Sequence, residues 1–312
     1  SIAQMLPRIH RTVLRQCAQH GNLTAGLRVV DHINRLSKKF RPPPRPQPND
    51  GIAEAADDDS EEKSSSSSSS LQQPAAETYA DKSHMKSIHR LVVLKAEDWV
   101  QLIVAASKSD DWTVCFNALQ HLRPYLRSIR PSRAKSPEQK RLYLARYQQI
   151  GCALVATAKC LEKRSQYAWL VRAIDDWMQW SQRRPPLAAV QSTCRILSAR
   201  GRAEEVVQLV SNVLGQKDDD AAVVTKKGVT YEQRLYFAAI ATLYWRRMFY
   251  KADELFITAV SSGHVKVHIE EDDDEVRVDL HGLTAPMAHC AIRMAMRQQC
   301  KNKRVRFNLP DE

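Results

Sequence analysis

The chain has 312 residues, 43% of them hydrophobic, enough to close a core over one large or two ordinary domains and to exclude a wholly disordered protein. It carries 47 Lys plus Arg against 35 Asp plus Glu, a formal charge of +12, and much of the acid sits in three runs: Asp57 to Glu62, Asp218 to Asp220 and Glu270 to Glu275. The remainder is therefore strongly basic, which favours a polyanionic partner through counterion release, although a helical protein with a basic surface also accounts for it.

In chain order, residues 1–40 read as an amphipathic helix, a turn at Gly21-Asn22 and a second amphipathic helix. Residues 41–83 break the pattern with a Pro-rich piece, an acidic piece and an unbroken run from Ser64 to Ser70; such sequence buries too little apolar surface to fold and reads as a disordered insertion. Trp99 to Tyr125 then superposes without a gap on His10 to Leu36, placing Asp110 on Gly21, Trp112 on Leu23, Phe116 on Leu27 and Leu119 on Val30. The theme returns at Tyr147 to Trp180, Val190 to Leu214 and Arg234 to Val260, with breaker-rich loops at Arg127 to Gln139 and Gly215 to Thr230. Ala25, Val114, Ala168, Glu205 and Ala252 are read as equivalent positions. The fold class is mainly α: about five helix-turn-helix hairpins over 1–40 and 84–262, expected to stack as a right-handed solenoid.

From 263 to 312 the period changes. Val265, Val267 and Ile269 alternate with polar residues, six acidic residues follow, and Val276, Val278 and Leu280 alternate again, predicting two short strands joined by an acidic turn. The second strand runs into His281-Gly282-Leu283-Thr284 and then an amphipathic helix, with Thr284 as N-cap and Pro286 tolerated in the first turn. Residues two apart on a strand share a face, so Asp279 and His281 are expected together while Leu280 enters the core; Gly282 allows a tight turn, and the helix N-terminus behind it offers N–H groups to a phosphate. Beyond the helix, Lys301, Lys303, Arg304 and Arg306 are candidate phosphate contacts, and Val305 to Leu309 reads as the start of another strand.

Seven scattered cysteines without a Cys-x-x-Cys pair fit neither a disulfide framework nor a zinc site and suggest a reducing compartment. No histidine spacing demands a metal, and Glu270 to Glu275 lacks the spacing of a Ca²⁺ loop. No apolar stretch approaches the roughly 20 residues of a membrane span. The six tryptophans are read as inter-helix packing. Beginning at Ser1 inside a helical pattern and ending at Glu312 in a polar stretch, the chain reads as part of a longer protein.

Two resemblances sharpen this. The hairpins resemble the pentatricopeptide repeat, most clearly in Phe249-Tyr-Lys-Ala-Asp-Glu-Leu-Phe and the Gly-x-x-x-Ala of Gly21 to Ala25; tetratricopeptide repeats share the same unit and bind proteins instead. Asp279-Leu280-His281-Gly282-Leu283 before a helix resembles the first signature of the Smr (small MutS-related) domain, a compact α/β unit with endonuclease activity in some members and nucleic-acid binding alone in others. The fusion order of repeats followed by an Smr domain resembles that of organellar proteins of plants and algae. The resemblances imply a single-stranded RNA partner, an organellar transcript in chloroplast or mitochondrion, with the ribosome or DNA as further candidates and no membrane. They also imply a general acid or base at His281 oriented by Asp279, nucleic-acid contacts at Gly282, Thr284 and the four basic residues, and a divalent metal where the domain cleaves. The family's second signature, a Thr-Gly-x-Gly-like loop, does not occur before Glu312, so a partial domain without nuclease activity is expected in this chain. A protein-binding scaffold, or an endonuclease at full length, stands as the alternative.

Overall fold

The structure is a computed structural model that describes residues 2–39, 94–129, 136–216, 229–271, 275–299 and 304–308. The expected insertion at 41–83 lies outside the described residues. Two compact units are distinguished, Ser1–Thr12 with Arg28–Leu94, and Val13–Leu27 with Lys95–Glu312. In the first, His10 and His32 meet edge to face at 5.6 Å.

The chain is mainly helical. Helices α1 (Ile2–His20) and α2 (Leu23–Lys39) are followed by α3 (Ala96–Lys108), α4 (Trp112–Gln120), a short α5 (Arg123–Ser128), α6 (Pro137–Lys163), α7 (Tyr167–Ser181), α8 (Leu187–Ala199), α9 (Ala203–Gly215), α10 (Tyr231–Trp245) and α11 (Phe249–Ser261). Several of their starts are capped by side chains. Asp111 Oδ1 accepts from the Val114 N–H at 3.0 Å, Ser136 Oγ from Gln139 at 3.2 Å, and Thr230 and Gln233 cap each other reciprocally at 3.3 and 3.0 Å. The loop expected over Arg127 to Gln139 is shorter than that, because Ser136 caps a helix whose first residue, Pro137, has no N–H to leave unpaired.

One turn recurs between paired helices. Gly21, Asp110, Ser165, Gly201 and Arg247 all have positive φ, between 55° and 75°. In each case the next residue's N–H reaches back five residues, Asn22 to Cys17, Asp111 to Ala106, Gln166 to Leu161, Arg202 to Leu197 and Met248 to Leu243, at 2.9–3.0 Å. This bond closes the orphan carbonyls of the first helix, and the second helix begins two residues after the left-handed one every time. Counting from that residue, the fifth, ninth and twelfth positions are buried throughout: Gly26, Val30 and Ile33; Cys115, Leu119 and Leu122; Leu170, Ile174 and Trp177; Val206, Val210 and Val213; Ala252, Phe256 and Ala259. That is one helical stripe per hairpin.

The same count corrects the expected equivalences. Trp169 and Lys251, not Ala168 and Ala252, correspond to Ala25, Val114 and Glu205, because Ser165 and Arg247 take the left-handed position that glycine marks elsewhere. From α3 to α10, each hairpin's first helix packs on the first helix of the next: α3 on α6, α6 on α8, α8 on α10.

After α11 come β1 (His268–Glu271), β2 (Glu275–Asp279), α12 (Ala285–Gln299) and β3 (Arg304–Asn308), forming a three-stranded sheet of order β1-β2-β3. β1 is antiparallel to β2, with His268 opposite Asp279, and β2 is parallel to β3, with Asp279 opposite Asn308. A parallel pair needs a crossover, and α12 supplies it. The first strand starts at His268 and not at Val265, since the Val265 N–H is already bonded to Ala259 O at 3.1 Å and its side chain is buried.

α12 packs on β2 and β3 with one face and on α10 and α11 with another. Asp253 of α11, 1% exposed, is the anchor there. Arg293 donates to it from Nε at 3.0 Å to each oxygen and from Nη2 at 2.6 Å, and Arg297 adds a contact at 3.0 Å. The Arg293 guanidinium also lies over the Phe249 ring at 5.0 Å. Burial pushes the neighbouring Cys290 thiol up to about 12, so it stays protonated and packs as a small apolar group.

Two outcomes follow for stability. Asp253→Ala leaves two guanidinium groups facing an apolar socket and is expected to cost about 3 kcal/mol in urea unfolding, against a surface substitution near zero. Gly201→Ala is expected to cost about 1 kcal/mol from backbone conformation alone, as an added Cβ meets nothing within 4 Å, while Ser165→Gly should raise stability by a smaller amount. Unchanged unfolding midpoints for both turn variants would remove the turn from the determinants of the hairpin.

Candidate nucleic-acid interface

β2 delivers the site. Val276 and Val278 point into the core, fully buried, and Leu280 follows them at 1% exposure, as the alternation requires. This leaves Arg277 and Asp279 on the opposite face. The strand ends at Asp279, and His281-Gly282 form a turn closed by the Leu283 N–H to Leu280 O at 3.2 Å. Gly282 has φ +76° with open space where a Cβ would sit, so the backbone conformation and not crowding favours glycine here. Thr284 occupies the position before α12, its carbonyl accepting from the Ala288 N–H at 2.8 Å.

Asp279 and His281 do meet, but through a local turn and not through a shared strand face. His281 lies beyond the strand, and Asp279 Oδ1 accepts from its backbone N–H at 2.9 Å while also contacting its Nδ1. The carboxylate thus holds both the backbone and the ring of the residue two positions on, an Asx-type turn. These two bonds, the backbone one first, keep the Asp279 carboxyl below the usual carboxylate range. With Nδ1 occupied, the ring's second nitrogen is the one available to a substrate. Both side chains are solvent-accessible, at 36% and 50%.

The sheet brings in a further histidine. His268 stands opposite Asp279 across the antiparallel pair, and its charge contributes to holding that carboxyl down. Asn308 stands beside Asp279 on the parallel side, so the carboxyl ends of two parallel strands and the start of α12 share one edge of the sheet, the usual place for a ligand in such a unit. Among the described residues no three His, Cys, Asp or Glu side chains converge to hold a metal ion.

The basic candidates are distributed differently. Arg304 stands opposite Glu275, the first residue of β2, and so is separated from Asp279 by the length of the strand, roughly 13 Å. Arg306 is exposed but its Nε lies 2.8 Å from Glu275 Oε1, a cross-strand ion pair that supports the sheet. Lys301 and Lys303 lie outside the described residues.

Basic side chains also gather at the hairpin turns. Lys108, Lys163, Arg164, Arg200, Arg202, Arg246 and Arg247 all sit within two residues of the left-handed position. Several are committed locally: Lys108 to Gln19 O at 2.8 Å, Lys163 to Asp110, and Arg202 to Glu205 at 2.7 Å and over the Tyr167 ring at 4.6 Å. Arg200, Arg246 and Arg247 are exposed and form no ion pair among the described residues. Cations here also complement the negative end of each first helix, which alone would account for some of them. No helix is long and apolar enough to cross a membrane among the described residues.

The Asp279 assignment is checked by titration. Its carboxyl carbon, followed by NMR, is expected to titrate below about 3.9. Because its folded value is lowered, the corner's stabilisation is present above the ordinary carboxylate value and is lost as pH falls through the depressed one. A midpoint at or above the ordinary value would remove the pairing with His281.

No family model matches this chain, and no curated protein or solved structure matches it, so the geometry of the corner and of the basic turns carries the functional reading.

Proposed function

We propose that this chain is an RNA-binding helical-repeat protein with a C-terminal Smr-like unit, acting in organellar RNA processing, stability or translation. The hairpins wind as a right-handed solenoid, and single-stranded RNA lies along the first helices. The observation that carries the reading is the repetition of basic residues at one structural station: consecutive hairpins whose first helices pack together bring Lys163 and Arg164, Arg200 and Arg202, then Arg246 and Arg247 to the same turn. A repeated cationic station matches the repeated charge of a nucleic-acid backbone, which a single folded patch would not require.

At the C-terminal unit the Asp279–His281 pair favours a second activity, cleavage in the full-length protein. Asp279 fixes the imidazole through Nδ1, and Nε2 takes a proton from a ribose hydroxyl or a water as its oxygen attacks phosphorus; the P–O bond to the leaving ribose oxygen breaks, that oxygen taking a proton from solvent, and the N–H groups at the start of α12 hydrogen-bond the phosphate oxygens. Asp279 positions the ring and does not itself touch the substrate.

Binding is tested with labelled single-stranded RNA over a salt series, where affinity is expected to fall steeply as salt rises. Absence of binding, with capture of an acidic peptide instead, would replace this reading with the protein-scaffold alternative. For cleavage, His281→Ala should abolish cutting by the full-length protein and leave RNA affinity within about twofold; cutting at the wild-type rate would remove His281 from the chemistry.

A further inference from the structure

Trp245 departs from the other tryptophans. Trp177 and Trp180 are buried, Trp99 stacks on His121 at 4.1 Å, and Trp112 and Trp169 pack together at 5.9 Å. Trp245, the last residue of α10, is 70% exposed. A large aromatic in water forgoes the hydrophobic gain that usually places it inside.

Its surroundings explain what the exposure leaves open. The ends of α6, α8 and α10 frame a cleft of about 370 Å³ lined by Glu162, Arg195, Ala199, Thr242, Trp245 and Arg246 among others. The position two before the left-handed residue is Gln19, Lys108 and Lys163 in the first three hairpins, then Ala199, then Trp245. The change to alanine beside the tryptophan removes the long side chain that would otherwise fill this place. One side of the indole is fixed by the edge of Tyr244 at 5.3 Å.

The wall of the cleft is a planar polar array. Arg195 donates to both oxygens of Glu162, from Nε at 2.6 Å and from Nη2 at 2.9 Å, and to Ser192 Oγ at 3.0 Å. Those bonds fix the guanidinium plane and leave only its Nη1 hydrogens uncommitted among the described residues, donors suited to an acceptor on a base edge. Arg246, adjacent to the indole, has no ion pair among the described residues and suits a phosphate.

We propose that this cleft is a nucleobase-binding subsite, in which one base of a single-stranded RNA stacks on Trp245, presents an acceptor edge to Arg195 and places its phosphate against Arg246. It rests on the RNA-binding reading and adds to it a stacking contribution localised at one hairpin. The charged side chains lining the cleft are Glu162, Arg195 and Arg246; Glu162 is paired with Arg195, so Arg246 leaves the cleft with a net positive charge, which favours an anionic chain over a neutral peptide.

The test uses fluorescence anisotropy of labelled 12-nucleotide oligo(U) and oligo(A) with the full chain, Trp245→Ala, Trp245→Phe and Arg246→Ala. Trp245→Ala is expected to weaken binding by about tenfold or more at every salt concentration with an unchanged salt slope, while Trp245→Phe retains most of the affinity. Arg246→Ala should make the slope shallower by about one. Because Trp245 is largely exposed, a thermal melt matching the wild type is expected for its variants. Wild-type affinity in Trp245→Ala would overturn the subsite and leave the RNA-binding reading intact; no RNA binding by the unaltered protein would overturn both.

Discussion

A single left-handed residue closes the first helix of every hairpin among the described residues, and the bond running back five residues across it sets the phase of the second helix. With the second helix always beginning two residues later, its buried stripe starts at the fifth position whatever side chains are present. Gly26, Cys115, Leu170, Val206 and Ala252 differ widely in size yet occupy one environment. The same phase brings the residues just before the turn to one station in successive hairpins, which is why lysines and arginines recur there and why one alanine and one tryptophan at that station have local consequences. The backbone constraint thus reaches from helix pairing to the distribution of surface charge.

The hairpins were legible in the sequence because apolar spacing survives substitution, and the first two aligned without a gap. What was not legible was the register of the later copies. A left-handed residue announces itself only when it is glycine, as at Gly21 and Gly201; Asp110, Ser165 and Arg247 adopt the same conformation at a cost of about 1 kcal/mol each that the closing hydrogen bonds offset. Reading small residues as markers therefore placed two equivalences one residue away. The Val265 strand start failed for a related reason: alternation is blind to a backbone N–H already bonded to the end of a helix.

The corner was legible as a motif and less so as geometry. Asp279 and His281 are together because an aspartate can accept from the N–H two residues on, a local preference that strand periodicity does not describe. His268 joins them through strand register, which depends on the length of the connection between β1 and β2 and so on contacts not encoded nearby. Arg306 carried the right charge for a phosphate contact, but Glu275 across the sheet engages it first. Trp245 was hidden by a sound generalisation, that tryptophans pack; its exposure follows from the small neighbour at Ala199, a residue on another hairpin.

Asp253 ties these parts together and shows how a repeat ends. Its position, sixth from the left-handed residue, is Leu27, Phe116, Val171 and Val207 in the preceding hairpins, apolar each time. A lone buried carboxylate in that place would be strongly destabilising, and it is tolerated because the next element is α12, which supplies Arg293 and Arg297. The apolar partner that a further hairpin would need is thereby replaced by a directional one that accepts a helix bearing two correctly spaced arginines. Those arginines lie in the second half of α12, where cations complement the helix dipole, about 12 and about 18 Å along the axis from its first residue. The opposite end of α12 abuts His281 and Gly282. One short helix, pinned at its basic end to the last hairpin and at its other end to the carboxyl edge of β2, holds the Asp279–His281 corner in a fixed place relative to α10 and α11.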